Sequence, residues 1–293
     1  MTPIHNIVVA TDFSPGSNAA VDRAVLLAQT HGASLRLLHA FDVSAWHSLQ
    51  GVFDPHRLAR EPPPDVQIQR RLTEVAASLA AQTGLQVEAR FTVGKAASAI
   101  NAYVTAHDTA LLVIGSRPEP GLLGLGSTAS RLLRSPTCPV LTVRWGHARP
   151  YAKVLAAVDL GADAMRAATF AVAVFPAAQH HLVLALAPAL ERAAWLQALA
   201  QEQLAGPDDS MRAQALRQLE QLALTLTRQT QHPVIAEVLE DSPARAILER
   251  AAALPADCVA VSHHGQGAGA ERLLGSMAQQ VLQHTLRDVL VVP

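Results

Sequence analysis

Val259-Ala260-Val261-Ser262-His263-His264-Gly265, followed after nine residues by Gly275-Ser276, is the stretch that decides the fold. Its short apolar run reads as a buried strand. A glycine-bearing loop comes next, and a helix opens at Gly275-Ser276. A strand feeding a loop and then a helix N-terminus gathers free backbone N–H groups into a concave surface that suits a phosphate. The same layout stands 147 residues earlier, where Leu111-Leu112-Val113-Ile114-Gly115 leads through a loop to Gly126-Ser127.

Outward from these loops, the whole chain repeats. Val154-Leu155-Ala156-Ala157-Val158-Asp159 matches the run from Ile7 to Asp12, with Asp159 standing 147 residues after Asp12. Ala244-Arg245-Ala246-Ile247 matches Ala97-Ser98-Ala99-Ile100 at that offset, and Ser262 matches Gly115. Past the loop the offset becomes 149, pairing Gly126-Ser127 with Gly275-Ser276 and Val140-Leu141 with Val289-Leu290. A constant offset that shifts once, inside a loop, marks a tandem duplication with a two-residue length difference there. The expected domains are residues 1–146 and 151–293, joined by a linker near Trp145 to Tyr151.

Within the first copy, strands are expected at Ile7–Ala10, Leu35–Ala40, Val87–Val93, Ala110–Ile114 and Val140–Val143. Helices are expected over about 15–31, 66–83 and 96–107 and from Ser127. Ser14-Pro15 reads as N-cap and first helical residue, and Gly32 as the stop. Strands alternating with helices imply a parallel, doubly wound sheet. Residues 41–66 read as irregular, with Trp46, Phe53 and Pro62-Pro63-Pro64. The second copy has instead a helical stretch from Leu190 to Leu204, a Gly206-Pro207-Asp208-Asp209 break, and a helix from about Met211 to Arg228.

Composition bounds the function. The 293 residues are half hydrophobic, 4% aromatic, and carry a net charge of −1. Nothing in that balance points to nucleic acid or an anionic membrane. No apolar run reaches the ~18–20 residues that span a bilayer, and the N-terminus enters a strand without a signal segment. Cys138 and Cys258 fall at non-equivalent places and read as buried reduced thiols of a cytoplasmic protein.

These residues make the chain resemble a tandem universal stress protein of the UspA-like family. The resemblance rests on Val9-Ala10-Thr11-Asp12-Phe13-Ser14 and its copy Ala157-Val158-Asp159. It also rests on the helix start Glu240-Asp241-Ser242-Pro243-Ala244, on both loops, and on the closing strands Pro139-Val140-Leu141-Thr142-Val143 and Val289-Leu290-Val291-Val292-Pro293. It implies an α/β fold: two tandem flavodoxin- or Rossmann-like domains, each a five-stranded parallel sheet of order 3-2-1-4-5 flanked by helices. The two fifth strands are expected to meet, so that one chain imitates a homodimer, with further homo-oligomers of that pseudo-dimer.

ATP-binding members of the family carry Gly-x2-Gly-x9-Gly-Ser/Thr after the fourth strand. Here the second copy has Ser262 in the first glycine position, then Gly265, Gly275 and Ser276 in register. The first copy has Gly115, then Pro118 in place of the second glycine, and a loop two residues short before Gly126-Ser127. Pro118 has no N–H and a fixed φ, although Gly121 and Gly124 leave room for another wrap. The expected ligand is ATP, with ADP or AMP as related nucleotides and Mg2+ accompanying the phosphates, and the second site is read as the better preserved. By resemblance, Asp159 and Asp12 contact the ribose, and Ala187 and Ala40 face the base; one of the pair His263-His264, taken as His264, is expected to lie over a phosphate. The alternative for Asp12 is an Asx turn, and for the loops a glycine-rich turn kept for packing.

Other signals are set aside. His263-His264 has no Cys or acidic partner at a ligand spacing, and His180-His181, before a strand, reads as surface. Ser127 and Ser276 read as helix caps. Neither a nucleophile elbow, a Walker lysine nor paired carboxylates flank the loops. The expected role is a cytoplasmic nucleotide-binding switch or adaptor in the stress response. The alternatives are an interaction scaffold with decayed loops, then a slow ATP hydrolase.

Overall fold

The computed structural model describes residues 4–44, 63–116, 125–144, 148–187, 208–230, 232–263 and 274–293. The chain divides into two compact units, Thr2–Arg149 and Pro150–Pro293. In chain order the described elements of the first unit are β1 (Asn6–Ala10), α1 (Pro15–His31), β2 (Ser34–Phe41), α2 (Pro64–Thr83), β3 (Val87–Val93), α3 (Ala96–Ala106), β4 (Leu111–Gly115), α4 (Ser127–Leu132) and β5 (Val140–Val143). Those of the second are β6 (Lys153–Ala157), α5 (Ala162–Val174), β7 (Gln179–Leu186), α6 (Asp208–Thr227), β8 (Ile235–Glu240), α7 (Pro243–Ala253), β9 (Cys258–Ser262), α8 (Ser276–His284) and β10 (Asp288–Val292).

All strand pairs within a unit are parallel. The first unit's order is β3-β2-β1-β4-β5, and the second's is β10-β9-β6-β7-β8. Counted within each unit, both are the expected 3-2-1-4-5. The strands at the centre are apolar on both faces, as a sheet covered by helices on both sides requires. Ile7, Val8, Val9, Leu111 and Val113 are fully buried. Alanine spacing explains why α1 lies close on them: Ala20, Ala24 and Ala28 form one fully buried stripe.

Helix ends follow local chemistry. Ser14 caps α1, its side chain accepting from Ser17 N–H, with Pro15 at the first position. Gly32 ends the helix in the left-handed region (φ 61°), donating its N–H to Ala28 O. Pro64 opens α2 two residues earlier than expected, because its φ is preset for a first helical position. The long helix of the second unit likewise begins early, at Asp208. The expected helical stretch from Leu190 to Leu204, together with Trp46 and Phe53, lies outside the described residues.

Two expectations are corrected. The residues that cap α4 and α8 are Gly126 and Gly275, with no side-chain cap bond at either end. Ser127 and Ser276 are first helical residues, not caps. His180 and His181 are not surface residues: both lie inside β7, 1% and 4% exposed. Each ring has a partner the local sequence does not reveal, His180 the Phe175 carbonyl (2.9 Å) and His181 the Glu237 carboxylate (2.8 Å). Both cysteines are buried and outside any disulfide, and burial pushes the Cys138 thiol up to about 12.

Candidate functional site

The duplication extends to a turn repeated at equivalent positions. Asp12 Oδ1 accepts from Ser14 N–H (3.0 Å), and Asp159 Oδ1 accepts from Gly161 N–H (2.9 Å). The residues between, Phe13 and Leu160, are both left-handed, at φ 61° and 62°. Non-glycine residues pay roughly 1–2 kcal/mol to stand there, and such strain gathers at functional sites. Both carboxylates therefore serve as the Asx acceptors that hold a tight corner between the first strand and the first helix of their unit.

In the first unit this corner is wired to the strand end. Ser17 Oγ donates to Ser14 O (3.0 Å) and lies 3.2 Å from Thr11 Oγ1. Since the Ser17 proton is used, the Thr11 hydroxyl is the donor between them. Thr11 Oγ1 in turn accepts from Phe13 N–H (3.1 Å). His39, on β2, bonds the Thr11 carbonyl through Nδ1 (2.8 Å), so its proton is on that nitrogen. Its ring stacks between Phe13 and Phe91, at 5.3 and 6.2 Å between centroids, and Arg71 lies 4.5 Å over Phe13. Burial lowers the His39 pKa, outweighing the Thr11 carbonyl and Asp12, which raise it.

Behind the corner lies a cavity of about 300 Å³ at the C-terminal ends of β1, β2 and β4. Its walls include Asp12, Ala40, Gly115, Gly126 and Ser127. All five residues singled out in the first copy thus meet in one space, on the sheet edge where open α/β folds bind ligands. Thr11, Ser14 and Ser17 add hydroxyls, while Leu38, Ile100 and Leu125 add apolar wall. Asp12 is the one titratable side chain among the described lining residues.

The sequence did not single out Thr11, Gly16 or Ser17. Gly16 had a signal in Gly115: a Cβ on Gly115 would stand 2.4 Å from Gly16 O and 2.8 Å from Ser17 N. The first turn of α1 therefore rests directly on the end of β4, and packing alone demands a glycine there. The matching residue in the second unit, Ser262, is 4% exposed, so that unit does accommodate a Cβ at this place.

In the second unit, Asp159, Ala187 and Ser262 lie at or just past the C-terminal ends of β6, β7 and β9, and Gly275-Ser276 opens α8. Gly275 N–H donates to His263 O (2.9 Å), drawing the helix start onto the strand end. His264 and Gly265 lie outside the described residues, as do Pro118, Gly121 and Gly124 of the first loop. Among the described residues no group of three or more His, Cys, Asp or Glu could hold a metal ion. None of their helices is long and apolar enough to cross a membrane.

The universal stress protein family matches the chain twice, over residues 3–144 and 150–293. The universal stress protein YxiE of Bacillus subtilis is 34% identical over 146 residues, which are 48% of this chain and 99% of that protein. A universal stress protein from Archaeoglobus fulgidus superposes with a TM-score of 0.69 at 17% identity, covering 100% of this chain and 99% of that one. A universal stress protein structure from Pseudomonas aeruginosa gives 0.62 at 18% identity, covering 99% and 93%. Those structures speak for the fold. The family itself is fixed by the sequence matches, which span both halves, and the chain belongs to the universal stress protein family, with two family domains in tandem.

Proposed function

We propose that the chain is an adenine-nucleotide-binding stress protein that works as a nucleotide-dependent switch or adaptor, with ATP as the ligand. The observation that carries this reading is the cavity of the first unit, where Asp12, Ala40, Gly115, Gly126 and Ser127 line one space. Its chemistry suits the parts of a nucleotide. Leu38, Ala40 and Ile100 offer apolar wall to a base, Asp12 a carboxylate to ribose hydroxyls, and Gly126-Ser127 the backbone of a helix start to phosphate. At about 300 Å³ the described space is at the low end for small-molecule sites. Asp159, Ala187, Ser262, Gly275 and Ser276 form the corresponding set of the second unit, completed in sequence by His264 and Gly265. Mg2+ would accompany the phosphates. With Asp12 the one titratable group on the described walls, binding is favoured over turnover.

A second reading has its own observations. The Gly115–Gly16 contact and the Asx turns at Asp12 and Asp159 account for these residues without any ligand. On that reading the loops hold the fold and the protein is an interaction scaffold. Thermal unfolding with ATP, ADP and AMP, with and without Mg2+, separates the two. A bound nucleotide at about 100 times its Kd adds about 2.7 kcal/mol to stability. No rise in Tm at millimolar nucleotide leaves the scaffold.

A further inference from the structure

The second unit buries two neighbouring histidines where the first has none. The register sets Val154 opposite His180 and Leu155 opposite His181, as it sets Ile7 opposite Leu35 and Val8 opposite Arg36. His180 therefore occupies the position of Leu35, a fully buried core residue. Its Nε2–H donates to Phe175 O (2.9 Å), while Nδ1 is buried without a hydrogen-bond partner. A second proton would create an N–H with no acceptor in an enclosed site, a costly arrangement.

Among the described residues no carboxylate faces the ring to answer that charge. It faces α5, whose end supplies the Phe175 carbonyl, and α6 packed beside that helix. The buried positions of these helices are apolar, among them Ala171, Val174, Leu219 and Ala223. Of their charged residues whose burial is described, Asp163, Arg166, Arg212, Arg217 and Glu220 all stand at exposed or part-exposed positions, as does Arg228 just past α6. On β6 the nearest charge is Lys153, itself a cation. Across β7, alternation puts His181 on the opposite face, against Glu237 of β8, which is already gripped by Arg250 of α7 at 2.5 and 2.8 Å.

We propose that His180 is an acid trigger: protonation of its ring opens the second unit around β7, while the first unit, with Leu35 at the matching position, stays closed. Burial holds the His180 pKa down to about 4, with His181 adding to the effect against the Phe175 carbonyl. The ring is thus neutral in the native chain, and the opened chain takes up a proton below about 6.5. One proton per opening raises the opening constant about tenfold per pH unit from 6.5 down to about 4, and no further below. Because β7 runs to Leu186, opening would also disperse Ala187 and Asp159; that consequence alone rests on the nucleotide reading.

The test is hydrogen exchange of the full chain, read by mass spectrometry without nucleotide and corrected for intrinsic rates. The informative window is about pH 6.5 to 5, above the range where ordinary carboxylates take up protons. Peptides from β7 and β8 should lose protection about tenfold per pH unit, and those from β1 and β2 should keep it. His180→Leu, which places the first unit's residue in the second, should remove the pH dependence. Flat protection of β7 in the native chain, or an equal loss in H180L, overturns the proposal. Should H180L fail to fold at neutral pH, the His180 ring is titrated by NMR in the native chain. No protonation above about pH 5 supports the trigger, and ordinary titration near 6.5 in the folded state overturns it.

Discussion

At the residue scale, Gly115 shows how one residue type serves two arguments. In the sequence it stands as the first glycine of a phosphate loop. In the structure it is the point where α1 meets β4, with Gly16 O inside the space of a Cβ. Gly115→Ala should therefore cost on the order of 1–3 kcal/mol whether or not nucleotide is present, because backbone must move; chemical denaturation checks this. Leu160 makes the opposite case. Its left-handed backbone (φ 62°) is strained in a way glycine avoids. Leu160→Gly should raise stability by up to about 1 kcal/mol, the strain relieved less the added chain entropy. A loss of stability would mean that the leucine side chain matters more than its backbone.

Elements were legible where chemistry is local. Ser14-Pro15 and Gly32 delimit α1 in both the sequence and the structure. Ser14→Ala should cost about 1 kcal/mol through the lost cap, measurable in the same denaturation series. The reading failed where the partner is distant. Nothing near His181 announces Glu237, 56 residues away, and two polar residues at the start of a strand look solvated until the sheet is assembled. Ser127 and Ser276 misled for a different reason. A serine beside a helix start suggests a cap, yet each is preceded by a glycine whose backbone takes the cap position. The convergence of Thr11, Ser14 and Ser17 needed the three-dimensional corner, since no spacing rule marks a hydroxyl cluster.

For the whole molecule, the offset of 147 residues carried most of the fold. Repetition is a strong constraint because both copies must satisfy the same topology, and each unit has the same strand order. What repetition hides is divergence in burial: Leu35 and His180 share a position but not a chemistry. A group whose folded pKa is depressed from 6.5 to about 4 leaves stability intact above 6.5 and removes it as pH falls. For His180 the loss from neutral pH to about pH 4 is about 3 kcal/mol. Unfolding followed across that range should show a loss larger by about that amount in the native chain than in H180L, whose remaining loss comes from carboxylates.

The cavity of the first unit is the part of the account on which function turns. Its most direct test is calorimetric titration of the native chain and of Asp12→Asn with ATP. Asparagine keeps the Asx acceptor and removes the charge, so the corner stays folded while a charged hydrogen bond worth roughly 1.5–3 kcal/mol is lost. Saturable binding by the native chain, with the first-unit site lost or weakened about tenfold or more in D12N, second-unit binding kept and the ligand-free Tm unchanged, is the predicted result. Absence of binding at millimolar ATP, or an isotherm in D12N identical in both stoichiometry and affinity to that of the native chain, would contradict it.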